Sequence, residues 1–314
     1  MGMTNTGTRL RQAISAAGAV ALIVVAATAC NDDGTGSLGE SPSVPPAPQL
    51  TVSAADSKVP FADADSATIT PGVQTYTDDA QCTTNYVFVD NAGKVYLGQA
   101  AHCSGTGKET QTNGCQIDSL PVGTTVTFNK GGNPITGEGT ELGSGTLVYD
   151  SWLTMQRRGE SDPATCQYND LALIEVNPDD VSKVNPSVPF WGGPTGLNTS
   201  GIIGPAEVYS YGSSSLKFSL ARLSKQHGVG RIDRSVTDGW SHTVQMRIPG
   251  IPGDSGSAYL DSQGRALGVL STVGLSWPVL NNIGDLNHEL QYARANSGID
   301  GLKLVLGTEP FKGD

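Results

Sequence analysis

Three short segments of the 314-residue chain carry side chains that could make and break bonds, and they follow one another in the order His, Asp, Ser. In Gly98-Gln99-Ala100-Ala101-His102-Cys103 an imidazole sits among small residues after an apolar run. There it can approach a partner closely and exchange a proton near neutral pH. In Asn169-Asp170-Leu171-Ala172-Leu173-Ile174 a carboxylate heads an apolar strand, at the rim of a core where it can hold an imidazole in one tautomer. Gly253-Asp254-Ser255-Gly256-Ser257 is a glycine-flanked turn. Such a turn exposes one hydroxyl and aims the backbone N–H groups of Gly253 and Ser255 at a common point. A lone His beside a Cys, or an Asp at a strand start, is commonly structural. The serine turn is the specific member, and the set gains its meaning from occurring together and in order.

The elements around these segments read as β-structure. Forty glycines, eighteen prolines and 16% charged residues leave little of the Ala/Glu/Lys/Leu richness of long surface helices. Tyr86-Val87-Phe88-Val89, a turn at Asp90 to Gly93 and Lys94-Val95-Tyr96-Leu97 form a hairpin pattern. Further strands are predicted over Gly123 to Phe128, Gly145 to Tyr149, Leu171 to Val176, Ala206 to Tyr211, Val244 to Ile248, Ser257 to Leu260 and Ala266 to Thr272. One helix is expected near the end, with Asp285 as its cap, Leu286, Leu290 and Ala293 on one face and Gly298 as its stop. The fold class is therefore all-β, a barrel or sandwich, with a late helix.

The first thirty residues read as an export signal: Arg9 and Arg11, then a largely apolar stretch from Ala13 to Ala29. This stretch is shorter than the roughly 20 residues that span a bilayer. Ala27-Thr28-Ala29-Cys30 fits both an ordinary secretory cleavage site and a looser lipoprotein box with Cys30 as the lipidated residue. The five cysteines favour the second, because setting Cys30 aside leaves an even set. Residues 31–67, with Pro42, Pro45, Pro46 and Pro48, are expected as a disordered tether or a propeptide, and 68–314 as the folded domain. A net charge of −11 without any Lys/Arg run argues against a nucleic-acid partner. No metal site or cofactor is expected: no C-x-x-C occurs, and His288-Glu289 lacks the second His of H-E-x-x-H.

The GQAAHC, NDLALI and GDSGS segments, in this order, resemble the triad motifs of chymotrypsin-like (trypsin-fold) serine proteases, over most of residues 80 to 275. The order sets the chain apart from α/β-hydrolases and subtilisins, and no G-x-S-x-G elbow occurs. The resemblance implies two six-stranded antiparallel β-barrels with a C-terminal helix. It makes His102 the base, Asp170 its orienting acid, Ser255 the nucleophile and the amides of Gly253 and Ser255 the oxyanion hole. It implies a protein or peptide substrate whose backbone pairs with Ser271-Thr272-Val273, and a Cys82–Cys103 bridge that leaves Cys115 and Cys166 to form a second. Pro249 stands where trypsin-like enzymes keep an Asp, which argues against cleavage after Arg or Lys. Val273, often Gly in the family, would narrow the pocket toward small or medium apolar side chains. No clear Ile-Val-Gly-Gly start is present; Ile69-Thr70-Pro71-Gly72 is a loose echo, so the need for a freed amine at Asp254 stays open. The expected protein is thus an exported monomer, secreted or held at the membrane through a lipid on Cys30. The alternatives are a catalytically silent binding module of the same fold and an esterase using the same triad.

Overall fold

Runs of β-branched and aromatic residues between Gly-, Pro- and Asp-containing turns become strands in the computed structural model, which describes residues 49–107, 112–231, 237–274 and 278–313. The export segment, Cys30 and the tether up to residue 48 lie outside the described residues. In chain order come β1 (Thr51–Val52), β2 (Gln74–Thr77), β3 (Ala80–Thr83), β4 (Val87–Val89), β5 (Val95–Ala100), β6 (Thr125–Asn133), β7 (Gly137–Asp150) and β8 (Leu171–Val176). A second group follows: β9 (Ala206–Tyr211), β10 (Lys225–Arg231), β11 (Ser241–Met246), β12 (Ala258–Asp261), β13 (Ala266–Val273) and β14 (Asn281–Asp285). The last strand, β15 (Lys303–Val305), returns to the first group. Helices are short: α1 (Ser151–Arg158), α2 (Pro163–Tyr168), α3 (Ala221–Ser224) and α4 (Leu286–Asn296). Among the described residues no helix is long and apolar enough to cross a membrane.

The second lobe is the expected closed six-stranded barrel, in the order β10-β11-β14-β13-β12-β9. The first lobe is a nine-stranded sheet, β1-β15-β4-β5-β8-β7-β6-β2-β3. Its outer strands come from the two ends of the folded unit, β1 lying parallel to β15 and β15 antiparallel to β4. The linker expected over 31–67 therefore ends earlier than its composition indicates. From Leu50 onward the chain is bonded into the sheet, Leu304 N–H donating to the Leu50 carbonyl and Leu306 N–H to that of Val52, while Val52, Ala54, Val59 and Phe61 pack against the first-lobe core. These apolar residues follow no local period because Val52 pairs with a strand at the far end of the chain and the others meet a core built by distant strands.

Three apolar clusters hold the unit together. One fills the first lobe around Leu97, Phe128, Leu147 and Ile174. Another fills the barrel around Val208, Val244, Leu267 and Leu270. The third lies between the lobes: Tyr86, Phe88, Leu171 and Leu173 meet Leu260, Val269 and the α4 residues Leu286, Leu290 and Ala293. The predicted helix thus buries its apolar face at the seam, where it holds the lobes in fixed relation. The helices α1 and α2 were not expected, although each starts on an Asp cap, Asp150 accepting from Leu153 N–H and Asp162 from Thr165 N–H.

At the start of α4, Asp285 is shared by two imidazoles, His242 Nε2 at 2.7 Å and His288 Nδ1 at 2.8 Å. Burial opposes the charge on Asp285, but the hydrogen bonds from both rings hold its pKa below the ordinary carboxyl value. The same bond lifts His288 above the ordinary imidazole value. A raised imidazole contributes stability that is fully present below the unfolded-state value of about 6.5 and lost as pH rises through the folded value. The melting temperature is therefore expected to fall as pH rises above the ordinary imidazole value of about 6.5, and to fall less steeply in His288→Gln. Calorimetry at several pH values checks this; equal slopes in the two proteins would contradict it.

Candidate active site

His102 and Asp170 meet because their strands do. β5 pairs with β8 so that Ala100 faces Leu171, which places the 3₁₀ turn Ala101–Ser104 beside the first residues of β8. Asp170 then receives three hydrogen bonds. Its Oδ1 accepts the backbone N–H of His102 at 2.9 Å, and its Oδ2 lies 2.7 Å from His102 Nδ1 and accepts the Ser271 hydroxyl at 2.6 Å. Asp170 is 3% exposed, so its oxygens are satisfied by these donors rather than by water. Burial disfavours a charged imidazole, but the Asp170 charge and hydrogen bond, with Asp150 adding, raise the His102 pKa above its ordinary value. With Nδ1 engaged by Asp170, Nε2 is the ring nitrogen left to exchange a proton.

Ser255 lies in the turn between the lobes. Gly253 (φ +92°) and Gly256 (φ +87°) both adopt the left-handed region. A Cβ on Gly256 would stand 2.5 Å from the Thr83 carbonyl oxygen and 2.8 Å from Ala100 N. Glycine thus lets the turn press against the strand that leads to His102. The Ser255 carbonyl accepts Thr83 N–H at 2.8 Å. Next to Thr83, Cys82 is bridged to Cys103, the neighbour of His102. One disulfide and one hydrogen bond therefore tie the His102 turn to the Ser255 backbone. Among the described residues the Ser255 hydroxyl has no hydrogen-bond partner, with His102 or otherwise, and no acceptor takes the amides of Gly253 or Ser255. A half-buried hydroxyl and two unengaged N–H groups share one turn.

The residue between them fixes the turn. Asp254 is fully buried; its Oδ1 accepts Ser214 N–H and its Oδ2 accepts Ile251 N–H and pairs with Lys217 Nζ at 2.7 Å. The Lys217 side chain is 3% exposed, and burial lowers its pKa while Asp254 opposes this. An internal lysine thus supplies the cation at Asp254, a partner that sequence reasoning missed. Ile69, where a chain start was sought, is buried mid-chain, and its N–H donates to the Lys183 carbonyl.

The predicted substrate-binding residues have two different roles. Ser271, Thr272 and Val273 form the half-exposed end of β13. β12 pairs with β13 only between Ala266 and Val269, so beyond it one edge of 271–273 has no strand partner among the described residues. Ser271 also spends its hydroxyl on Asp170, which the sequence did not reveal. Pro249 leads into Gly250, whose N–H donates to Asn281 Oδ1 at 2.9 Å. Asn281 is fully buried and sits across from Val273 in the β13–β14 register. Its carboxamide therefore ties the Gly250 backbone to the strand that pairs with the end of β13. No sequence signal marked it, because Asn281-Asn282-Ile283-Gly284 reads as a turn.

The second predicted bridge, Cys115–Cys166, also forms and ties the segment before Asp170 to the loop after the His102 turn. Among the described residues one His/Cys cluster has metal-like spacing, Cys82, His102 and Cys103, and both its sulfurs are consumed by the disulfide.

No family model matches the chain, and no curated protein does. Similar solved structures include protease A of Thermobifida fusca (TM-score 0.47, 16% identity, 76% of this chain and 99% of that one). Others are the Nocardiopsis protease (0.46, 16%, 76% and 98%) and the chymotrypsin of Cellulomonas bogoriensis (0.43, 17%, 75% and 97%).

Removing the Lys217 cation leaves a buried carboxylate unpaired, a change that costs about 3 to 5 kcal/mol. Lys217→Met is expected to lower the melting temperature and to distort the Gly253–Ser255 turn while the His102–Asp170 pair persists. Calorimetry, with the downfield proton resonance of His102 Nδ1 as a reporter, checks this; a variant as stable as the parent would contradict it.

Proposed function

We propose that this chain, an all-β protein of trypsin-like fold with its site at the seam of two β lobes, is a serine endopeptidase with His102, Asp170 and Ser255 as its triad. The observation that carries the reading is the doubly bonded His102–Asp170 pair next to a glycine turn that offers a free hydroxyl and two unengaged amides. In this mechanism Ser255 Oγ attacks the peptide carbonyl as His102 Nε2 takes its proton. The negative oxygen of the tetrahedral intermediate lies between the Gly253 and Ser255 N–H groups, and such a contact is worth roughly 3 to 4 kcal/mol in the transition state. Collapse breaks the C–N bond, His102 returns the proton to the departing amine, and an acyl-enzyme remains on Ser255. Water then attacks, His102 again acting as base, to release the acid and regenerate the hydroxyl. Asp170 keeps Nδ1 protonated and stabilises the imidazolium at each step.

The acyl side of the peptide lies along the open edge of Ser271, Thr272 and Val273 as an added strand. Val273 and Pro249, the latter in place of an acid, favour small or medium apolar side chains over Arg or Lys at the cleavage position. The lysine at Asp254 makes a freed N-terminal amine unnecessary for shaping the turn. The disulfides fit an oxidising compartment, reached through the N-terminal export signal, with the protein secreted or lipid-anchored on Cys30 and facing outward.

A fluorophosphonate probe is expected to label Ser255, and Ser255→Ala is expected to lose both the label and at least about 10⁴-fold in kcat on peptides. For the parent enzyme kcat/KM should fall as pH drops through a value above the ordinary imidazole value of about 6.5, where His102 gains its proton. A protein that never labels would overturn the reading in favour of a silent binding module, and labelling that persists in Ser255→Ala would place the reactive nucleophile at another residue.

A further inference from the structure

Five residues of α4 are buried: Leu286, Asn287, Glu289, Leu290 and Ala293. Leu286, Leu290 and Ala293 are fully buried in the core between the lobes, and Glu289, on the same face, is buried just as completely. A carboxyl there is expensive for the fold, since desolvating it as an ion costs several kcal/mol. Among the described residues the titratable groups near it include no cation: they are Asp170 just before β8, Asp285 at the end of β14, Tyr149 on β7 and Tyr86 just before β4. A leucine would serve the packing better.

The surroundings are nevertheless built to admit this side chain. On β14, Gly284 lies against the carboxyl, and a Cβ there would stand 2.2 Å from Glu289 Oε1. Oε1 accepts the backbone N–H of Asp170 at 3.1 Å, while Oε2 is buried without a partner among the described residues. The Asp170 carbonyl, in turn, accepts the N–H of Ala101 at 3.0 Å. The backbone of Asp170 is thus held through its carbonyl by the turn that carries His102 and through its N–H by α4.

We propose that Glu289 is a positioning residue for the triad, fixing the backbone of Asp170 so that its two oxygens meet the His102 amide, His102 Nδ1 and the Ser271 hydroxyl together. This rests on reading His102, Asp170 and Ser255 as a triad. Glu289 does this work uncharged: burial first, then the nearby Asp170 and Asp285, hold its pKa well above the ordinary carboxyl value. A neutral acid keeps the acceptor at Oε1 and places no second negative charge beside the His102–Asp170 pair.

Two variants of the full chain separate positioning from bulk packing. Glu289→Gln retains a neutral acceptor of the same shape; Glu289→Leu retains size and removes the acceptor. The Gln variant should stay within about 2-fold of the parent in kcat, whereas the Leu variant should lose about 10-fold in kcat with KM unchanged. The downfield proton resonance of His102 Nδ1 should persist in the Gln variant and shift or broaden in the Leu variant, whose melting temperature should not fall below the parent's. A Leu variant with the parent's kcat and resonance, or a Gln variant as damaged as the Leu variant, would overturn the proposal. Because the resonance needs no turnover, a protein that hydrolyses nothing yet shows the Gln/Leu contrast would sink the peptidase reading alone. Hydrolysis without the contrast would sink this inference alone.

Discussion

The carboxylate of Asp170 is the group on which the rest of the site depends. It is nearly excluded from water and is held by donors from both lobes, the backbone and ring of His102 in the first and the Ser271 hydroxyl in the second. A buried charge held in this way is sensitive to geometry, because losing any donor leaves part of its desolvation cost uncompensated. The seam between the lobes must therefore be stiff, and the aromatic and aliphatic cluster from Tyr86 to Leu290 supplies that stiffness with α4 wedged against it.

Around this centre the chain repeats one device: a buried polar group anchors a backbone turn that would otherwise be free to rearrange. Asp254 and Lys217 anchor the Gly253–Ser255 turn, Asn281 anchors Gly250, and the Cys82–Cys103 bridge anchors the His102 turn next to Thr83. Each anchor joins residues distant in sequence, so the reactive loops are fixed by the scaffold rather than by their own conformational preferences. The cost of burying these groups buys preorganisation, which is where electrostatic catalysis gains most of its advantage.

How much of this was legible in the sequence follows from the range of the interactions. The glycine turn around Ser255, the apolar strand after Asp170, the hairpin at 86–97 and the capped helix at 286–296 are local patterns, and each appears in the structure where its pattern placed it. β14 was invisible because Asn and Gly disfavour strands, yet Asn281 and Asn282 are held between β11 and β13, where Thr243, Thr272 and Gly250 bind their carboxamides. Lys217 and Glu289 looked like ordinary charged residues in a loop and on a helix. Their partners, Asp254 and the Asp170 amide, are brought to them only by the closed fold. Residues 49–67 read as tether by composition because Thr51 and Val52 pair with a strand near the C-terminus and Val59 and Phe61 pack on the first-lobe core, contacts that no local window contains.

The most direct test of the central claim is a crystal structure of the protein with a peptide boronic acid whose first side chain is small and apolar. The account predicts boron bonded to Ser255 Oγ, one boronate oxygen between the Gly253 and Ser255 amides, His102 Nε2 facing the adduct with Nδ1 still on Asp170, and the peptide paired with residues 271–273. A boronate bound elsewhere, or bound at Ser255 with His102 turned away from it, would contradict the account.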